Sequence, residues 1–325
     1  MKKTFLNKLL LGFSAVLLFV YGVIYACSDG DWGWAFDSNF APETFVDKSY
    51  APLFLSQEVF YTGFDTEHNS RFNDEILQDW GTFLKGKMDA KSIKFFLIDS
   101  SATEIDKLQQ FYKTQKKNTV SNKWSKIIDL NDRKTSSFIT FLSLSKQIET
   151  VSVSDENDWS YEPVKRKIFK DLKTIKTIEN RYNTVSDTFL KNRYWFQTVK
   201  AYFYSGDNKS AVAFFQKTEN TVPKSTLYYR ALAYIAGINY TNKNYALSNY
   251  QYSQVFDKCP AMRVVSAYCF RPKEEKDWNE SLNLAKTNEE KVALWAIQGF
   301  YGDEENAIAE IYNLQPKSQG KRIKN

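Results

Sequence analysis

The sequence predicts an all-α protein, an irregular helical-repeat solenoid that carries an aromatic-rich, largely irregular N-terminal extension. Three observations lead there. The first is the window Asn192 to Ser225, with Trp195 and Tyr202 seven residues apart, then small Ala211, large Phe215 and a closing Pro223. In a helical hairpin Trp195 and Tyr202 fill the groove between two antiparallel helices, and Ala211 sits where the backbones approach too closely for a larger side chain. Pro223 then ends the second helix by lacking an amide donor. The second is apolar spacing by three and four in several further segments. The third is composition: 16% aromatic residues with only 12 Gly and 7 Pro in 325 residues favours an ordered, helix-rich chain that can bury a substantial core. A lone hairpin cannot bury its apolar face, so the window demands helical neighbours.

The chain begins with a leader. Residues 1–26 join Lys2, Lys3 and Lys8 to an apolar run from Leu9 to Ala26, a signal peptide to be left out of the fold. Ile24, Tyr25, Ala26 and Cys27 resemble a degenerate bacterial lipobox, with Ala correctly placed before Cys27 and Tyr25 where a small residue is usual. Ser28, Asp29, Gly30 and Asp31 follow, and resemble the acidic segment that carries some lipoproteins of Bacteroidetes-type bacteria to the outer face. The resemblance implies lipid attachment at Cys27, with two or more acyl chains holding the protein stably on a bilayer. Plain cleaved secretion and an uncleaved anchor are the alternatives. With Cys27 acylated, Cys259 and Cys269 are left as an even pair: either they form a disulfide or they are two buried thiols on helices.

Residues 27–72 make up the extension, where aromatics alternate with Asp, Gly, Asn and Pro and no single period holds. Trp32 and Trp34 head this series. They read either as an aromatic platform for a ligand or as plugs for apolar grooves of the helical body, and the second is favoured. His68, the only histidine, reads as a surface residue. Residues 73–160 form an N-terminal helical region. Helical spacing runs over Asn73 to Lys85, over Ala102 to Thr114 with Thr103 as its cap and no exact capping box, and over Ser136 to Ile148. Asp89 to Ile98 fits helix or strand, Lys113 to Lys126 a solvated connection, and Val151 to Pro163 a loop with a domain boundary near it.

Residues 161–316 carry the repeats. An amphipathic helix is expected over Val164 to Asn180, with Ile168, Phe169, Leu172, Ile175 and Ile178 on its apolar face. With Asn192 as its first position, the 34-residue window resembles the tetratricopeptide (TPR) pattern W-x2-L-G-x2-Y, A-x3-F, P. Thr226 to Pro260 reads as a looser copy, with Tyr228, Tyr229, Ala233 and Ala236 on one helix and Ala246-x3-Tyr250 on the next. A short helix follows at Ala261 to Phe270. Two more are expected at Trp278 to Ala285 and Glu289 to Phe300, and a last one at Glu304 to Leu314. Residues 317–325 are a polar, basic tail. Either the last helix caps the stack, or the chain is the amino-terminal portion of a longer protein, which is slightly preferred.

Chemistry-bearing motifs are lacking: no nucleophile elbow, H-E-x-x-H, phosphate-binding Gly-rich loop or C-x-x-C pair occurs. No cofactor and no metal site is therefore expected. The net charge of +6 is halved by removing the leader, and basic and acidic residues alternate elsewhere, so nucleic acid is not an expected partner. The chain is similar to exported TPR-containing lipoproteins of Bacteroidetes-type bacteria. That resemblance implies an outer-membrane lipoprotein, periplasmic or surface-facing, acting as a cell-envelope scaffold for a protein or peptide partner. Its packing residues are Trp195, Tyr202, Ala211, Phe215 and Pro223. Ligand contacts fall to Trp32 and Trp34 and to concave-face positions such as Arg193, Gln197 and Lys200. The alternative is glycan capture, as in the SusD-like lipoproteins that serve an outer-membrane transporter; an enzyme is the third reading.

Overall fold

A computed structural model describes residues 70–124, 127–129, 131–152, 167–299 and 304–316. Residues 1–69, which include the leader, Cys27, Trp32, Trp34 and His68, residues 153–166, which hold the rest of the expected loop, and the polar tail 317–325 lie outside the described residues, while Val151 and Ser152, expected in that loop, end the fifth helix. Fourteen α-helices and no strand occur among those described. They are α1 (Asn73–Phe83), α2 (Ala90–Lys94), α3 (Ala102–Thr114), α4 (Thr119–Trp124), α5 (Arg133–Ser152), α6 (Leu172–Thr184) and α7 (Thr188–Ser205). Then come α8 (Asn208–Thr218), α9 (Thr226–Thr241), α10 (Tyr245–Lys258), α11 (Arg263–Cys269), α12 (Glu275–Leu284), α13 (Asn288–Gln298) and α14 (Glu304–Leu314). None is long and apolar enough to cross a membrane.

The hairpin of α7 and α8 is built by its caps. Asp187 accepts from the Leu190 amide to start α7, and Gly206 ends it at φ 78°. Asp207 follows at once and accepts from the Ser210 amide, starting α8. A left-handed residue followed directly by an N-cap reverses the chain in two residues. The next hairpin also puts a left-handed residue directly before its N-cap, Lys243 at φ 64°, where a side chain is strained, but it spans one residue more and Asn244 makes no side-chain cap bond. Inside the first hairpin Trp195, Ala211 and Phe215 are buried, and the Trp195 indole N–H donates to the Thr218 hydroxyl at 2.7 Å. Tyr202 is half-buried and donates to Glu179 of α6 at 2.7 Å.

Pro223 is the exception among the expected packing residues. It is exposed, and α8 has already ended at Thr218 in a 3-10 turn over Glu219–Thr221. Such a turn satisfies the last carbonyls before the proline is reached. In the second hairpin the contact register also shifts. Ala246 and Tyr250 are only half-buried, while Ser248, Asn249 and Tyr252 are buried, and the Ser248 hydroxyl donates to the Ala236 carbonyl at 2.9 Å. Small polar residues here fill the position that Ala211 fills in α8.

Several boundaries differ from expectation for local reasons. Ser101, not Thr103, caps α3, and a capping box with Glu104 is present. Asp89 caps α2, which runs into a π-helical turn over Phe95–Asp99, so the ambiguous segment is helical. The basic connection contains α4, whose Trp124 stacks on Phe95 at 4.6 Å. Helix α6 begins only at Leu172, because Asp171 accepts from the Lys173 and Thr174 amides. Phe169 is instead held in an extended run whose amide donates to the Tyr204 carbonyl at 2.9 Å, and Ile168 is exposed.

Helix α7 packs against α5, α6, α8 and α9, and α10 against α9, α11, α12 and α13, with α13 on α14. This nearest-neighbour order fits a helical-repeat arrangement. The N-terminal helices join it through an aromatic cluster: the Trp80 ring lies 4.8 Å from Phe138, 5.1 Å from Phe141 and 5.0 Å from Phe189, and Phe83 stacks on Phe189 at 4.5 Å.

Candidate functional site

Helix α7 has two working faces. Trp195, Val199 and Tyr202, spaced by four and three, turn toward the helical hairpin. Arg193, Phe196, Gln197 and Lys200 recur at i, i+3, i+4 and i+7 and form another stripe. That second stripe lines a solvent-open cavity of about 480 Å³ together with residues of α1, α5, α9 and the π-helical turn. The structure thus brings together the three concave-face residues expected from the sequence, and gives each a different state.

Arg193 is already engaged. Its guanidinium donates to the Asp79 carboxylate of α1 at 2.5 Å and to the Phe189 carbonyl at 3.3 Å, and lies 3.4 Å from the centre of the Phe189 ring. It ties the N-terminal helices to the repeats and is a wall of the cavity. Gln197 presents a buried side-chain oxygen with no hydrogen-bond partner. Lys200 is half-buried on the cavity, and burial, with the neighbouring charge of Arg230, pulls its ammonium down to about 8.

Arg230 of α9 completes the site and was not singled out in the sequence. Its guanidinium lies 4.1 Å from the centre of the Phe72 ring and 4.7 Å from that of Phe196. Both rings lie within cation–π distance of the guanidinium, and burial lowers its pKa. A signal existed: Arg230 is the one charge in Leu227 to Ile238, a run otherwise apolar or aromatic apart from the Gly. Arg71 lies on the same ring at 4.4 Å, and burial and Arg230 bring it down to about 10.

From α5 the cavity receives Lys146 and Glu149, which pair at 3.2 Å, and from the π-helical turn Leu97 and Ile98. Such single π turns recur at functional sites. A second space of about 400 Å³ adjoins through Phe72 and Arg230 and is lined by Phe203, Tyr204, Tyr234 and Tyr252.

Comparison with known protein families, curated proteins and solved structures found no match.

Arrangement alone therefore defines the chemistry. Among the described residues no group of three His, Cys, Asp or Glu side chains could hold a metal ion. Cys259 and Cys269 are free thiols and not a bridge. Cys269 ends α11, while Cys259 precedes the 3-10 turn Pro260–Met262 that leads into that helix. Burial raises both thiols, and Cys269 shares a hydrogen bond with the Tyr252 hydroxyl.

Proposed function

We propose that this chain is a helical-repeat scaffold that binds an extended peptide segment of a partner protein in the cavity between α1, α5, α7 and α9. One observation carries the reading: the cavity-facing stripe of α7, with half-buried Gln197 and Lys200, converges with Arg230 of α9 on a volume suited to one or two side chains, with the Gln197 oxygen left unsatisfied there. Apolar walls from Phe72, Phe196, Leu97 and Ile98 supply area, and the polar groups supply register. A glycan seat would want open aromatic faces, whereas Trp80, the tryptophan of this cavity, is 2% exposed. The leader supports a cell-envelope setting, with lipid at Cys27 and a partner in the outer membrane.

A photo-crosslinking amino acid at Gln197 tests the seat directly, with the same label at exposed Lys209 of α8 as control. A recurrent partner peptide crosslinked from 197 and not from 209 in native membranes is expected. Absence of any recurrent product from 197 sinks the proposal. Mass spectrometry of the mature amino terminus checks Cys27: an acylated Cys27 is expected, and an unmodified terminus elsewhere removes the anchor.

A further inference from the structure

Lys200 and Arg230 differ from the other cations of the cavity in having no carboxylate at contact distance, although the charges of Glu149 and Glu75 reach them from further away. Arg193 is matched by Asp79, and Lys146 by Glu149. Among the described residues neither Lys200 nor Arg230 takes part in an ion pair or a hydrogen bond. Glu75 of α1 is the one remaining carboxylate on the cavity, and it is exposed. Two cations lining one partly desolvated space and close enough to repel, with Glu149 already paired to Lys146 and Glu75 exposed, leave a net positive pole.

We propose that the Lys200–Arg230 pole is a subsite for an oxyanion, a carboxylate or phosphate group borne by the bound peptide. The inference rests on the peptide-seat reading and names the chemistry of its recognition. Lys200 offers a point charge and Arg230 a planar fork beside the Phe72 and Phe196 rings, so an oxyanion gains charge-assisted hydrogen bonds. One turn before Lys200, the unpartnered oxygen of Gln197 accepts an N–H, which a peptide carries beside its carboxylate. The lowered Lys200 value agrees with a cation held away from water next to Arg230. A bound anion reverses that repulsion.

Thermal melting and calorimetry on the full chain test this with inorganic phosphate and with a short acetylated alanine-rich peptide, its carboxyl end free or amidated. Chloride at matched ionic strength is the control. Phosphate or the free-carboxyl peptide is expected to raise Tm saturably, with affinity about tenfold weaker in Lys200→Met and in Arg230→Met, and kept in Lys200→Arg. Loss on amidation assigns the carboxylate; response to phosphate alone assigns the phosphate. If no anion acts beyond chloride, or Lys200→Met responds as the parent does, the subsite is overturned. Lys200→Met keeps the apolar stem and serves if Arg230→Met fails to fold. A partner crosslinked at Gln197 with no anion response removes the subsite and leaves the scaffold; an anion response with no crosslinked partner does the reverse.

Discussion

Trp195 and Lys200 are five residues apart on one helix and show how differently burial acts on apolar and charged side chains. The Trp195 indole satisfies its N–H on Thr218, whose own hydroxyl donates to the Phe214 carbonyl at 2.6 Å. Replacing Thr218 with Val keeps the shape and removes the acceptor, leaving a buried donor unmade. Urea unfolding is expected to show a loss of about 1–3 kcal/mol. Lys200 predicts a pH effect. Its value in the fold, about 8, lies below the ordinary 10.5, so between those values the unfolded chain binds more protons and stability rises with pH. Buried thiols and tyrosines oppose this near and above their own ordinary values. The gain is therefore read as the difference between the parent and Lys200→Met: that difference should narrow or invert from pH 8 to 9.5. A flat difference contradicts the lowered value.

At the scale of the element, turns decide more than apolar period does. Gly206 and Lys243 occupy the same left-handed position in successive hairpins, yet only Gly206 is free of strain there. Lys243→Gly is expected to raise stability by about 0.5–1 kcal/mol, while Gly206→Ala lowers it by about 1 kcal/mol, both by chemical denaturation. Equal effects of the same sign would show that the two turns are not equivalent in this way. The apolar spacing marked nearly every long helix, because helix-period burial is written in large side chains such as Ile105, Phe138 and Leu294. It failed where a polar residue was decisive. Asp171 moved the start of α6 past Ile168, Ser101 capped α3 ahead of Thr103, and Ser248 took the close contact expected of Ala246. A cap or a small buried hydroxyl looks like surface in a one-dimensional pattern.

For the whole molecule, the join between α1 and α7 carries consequences that neither side has alone. The Asp79–Arg193 pair and the Trp80, Phe83 and Phe189 cluster span residues 73–160 and 161–316 of the expected organisation. Asp79→Ala removes one partner of a largely buried guanidinium. Because Asp79 is about half exposed, 47%, the loss is expected near 1–2 kcal/mol, below that of a fully buried pair. Far-UV and near-UV circular dichroism should still give one coincident transition, as cooperative packing across the join requires. Two separated transitions in the unaltered protein would show that the join is weak.

The sequence by itself determined the helical class, the first hairpin with Trp195, Ala211 and Phe215, and the face of α7 that carries Arg193, Gln197 and Lys200, because each is a matter of spacing along one helix. Tertiary structure decided what that face does. Arg193 is matched by Asp79, 114 residues away in the chain, and Arg230 arrives from another helix to stand beside Lys200. Which charge finds a partner depends on which helices meet, and no local period records that.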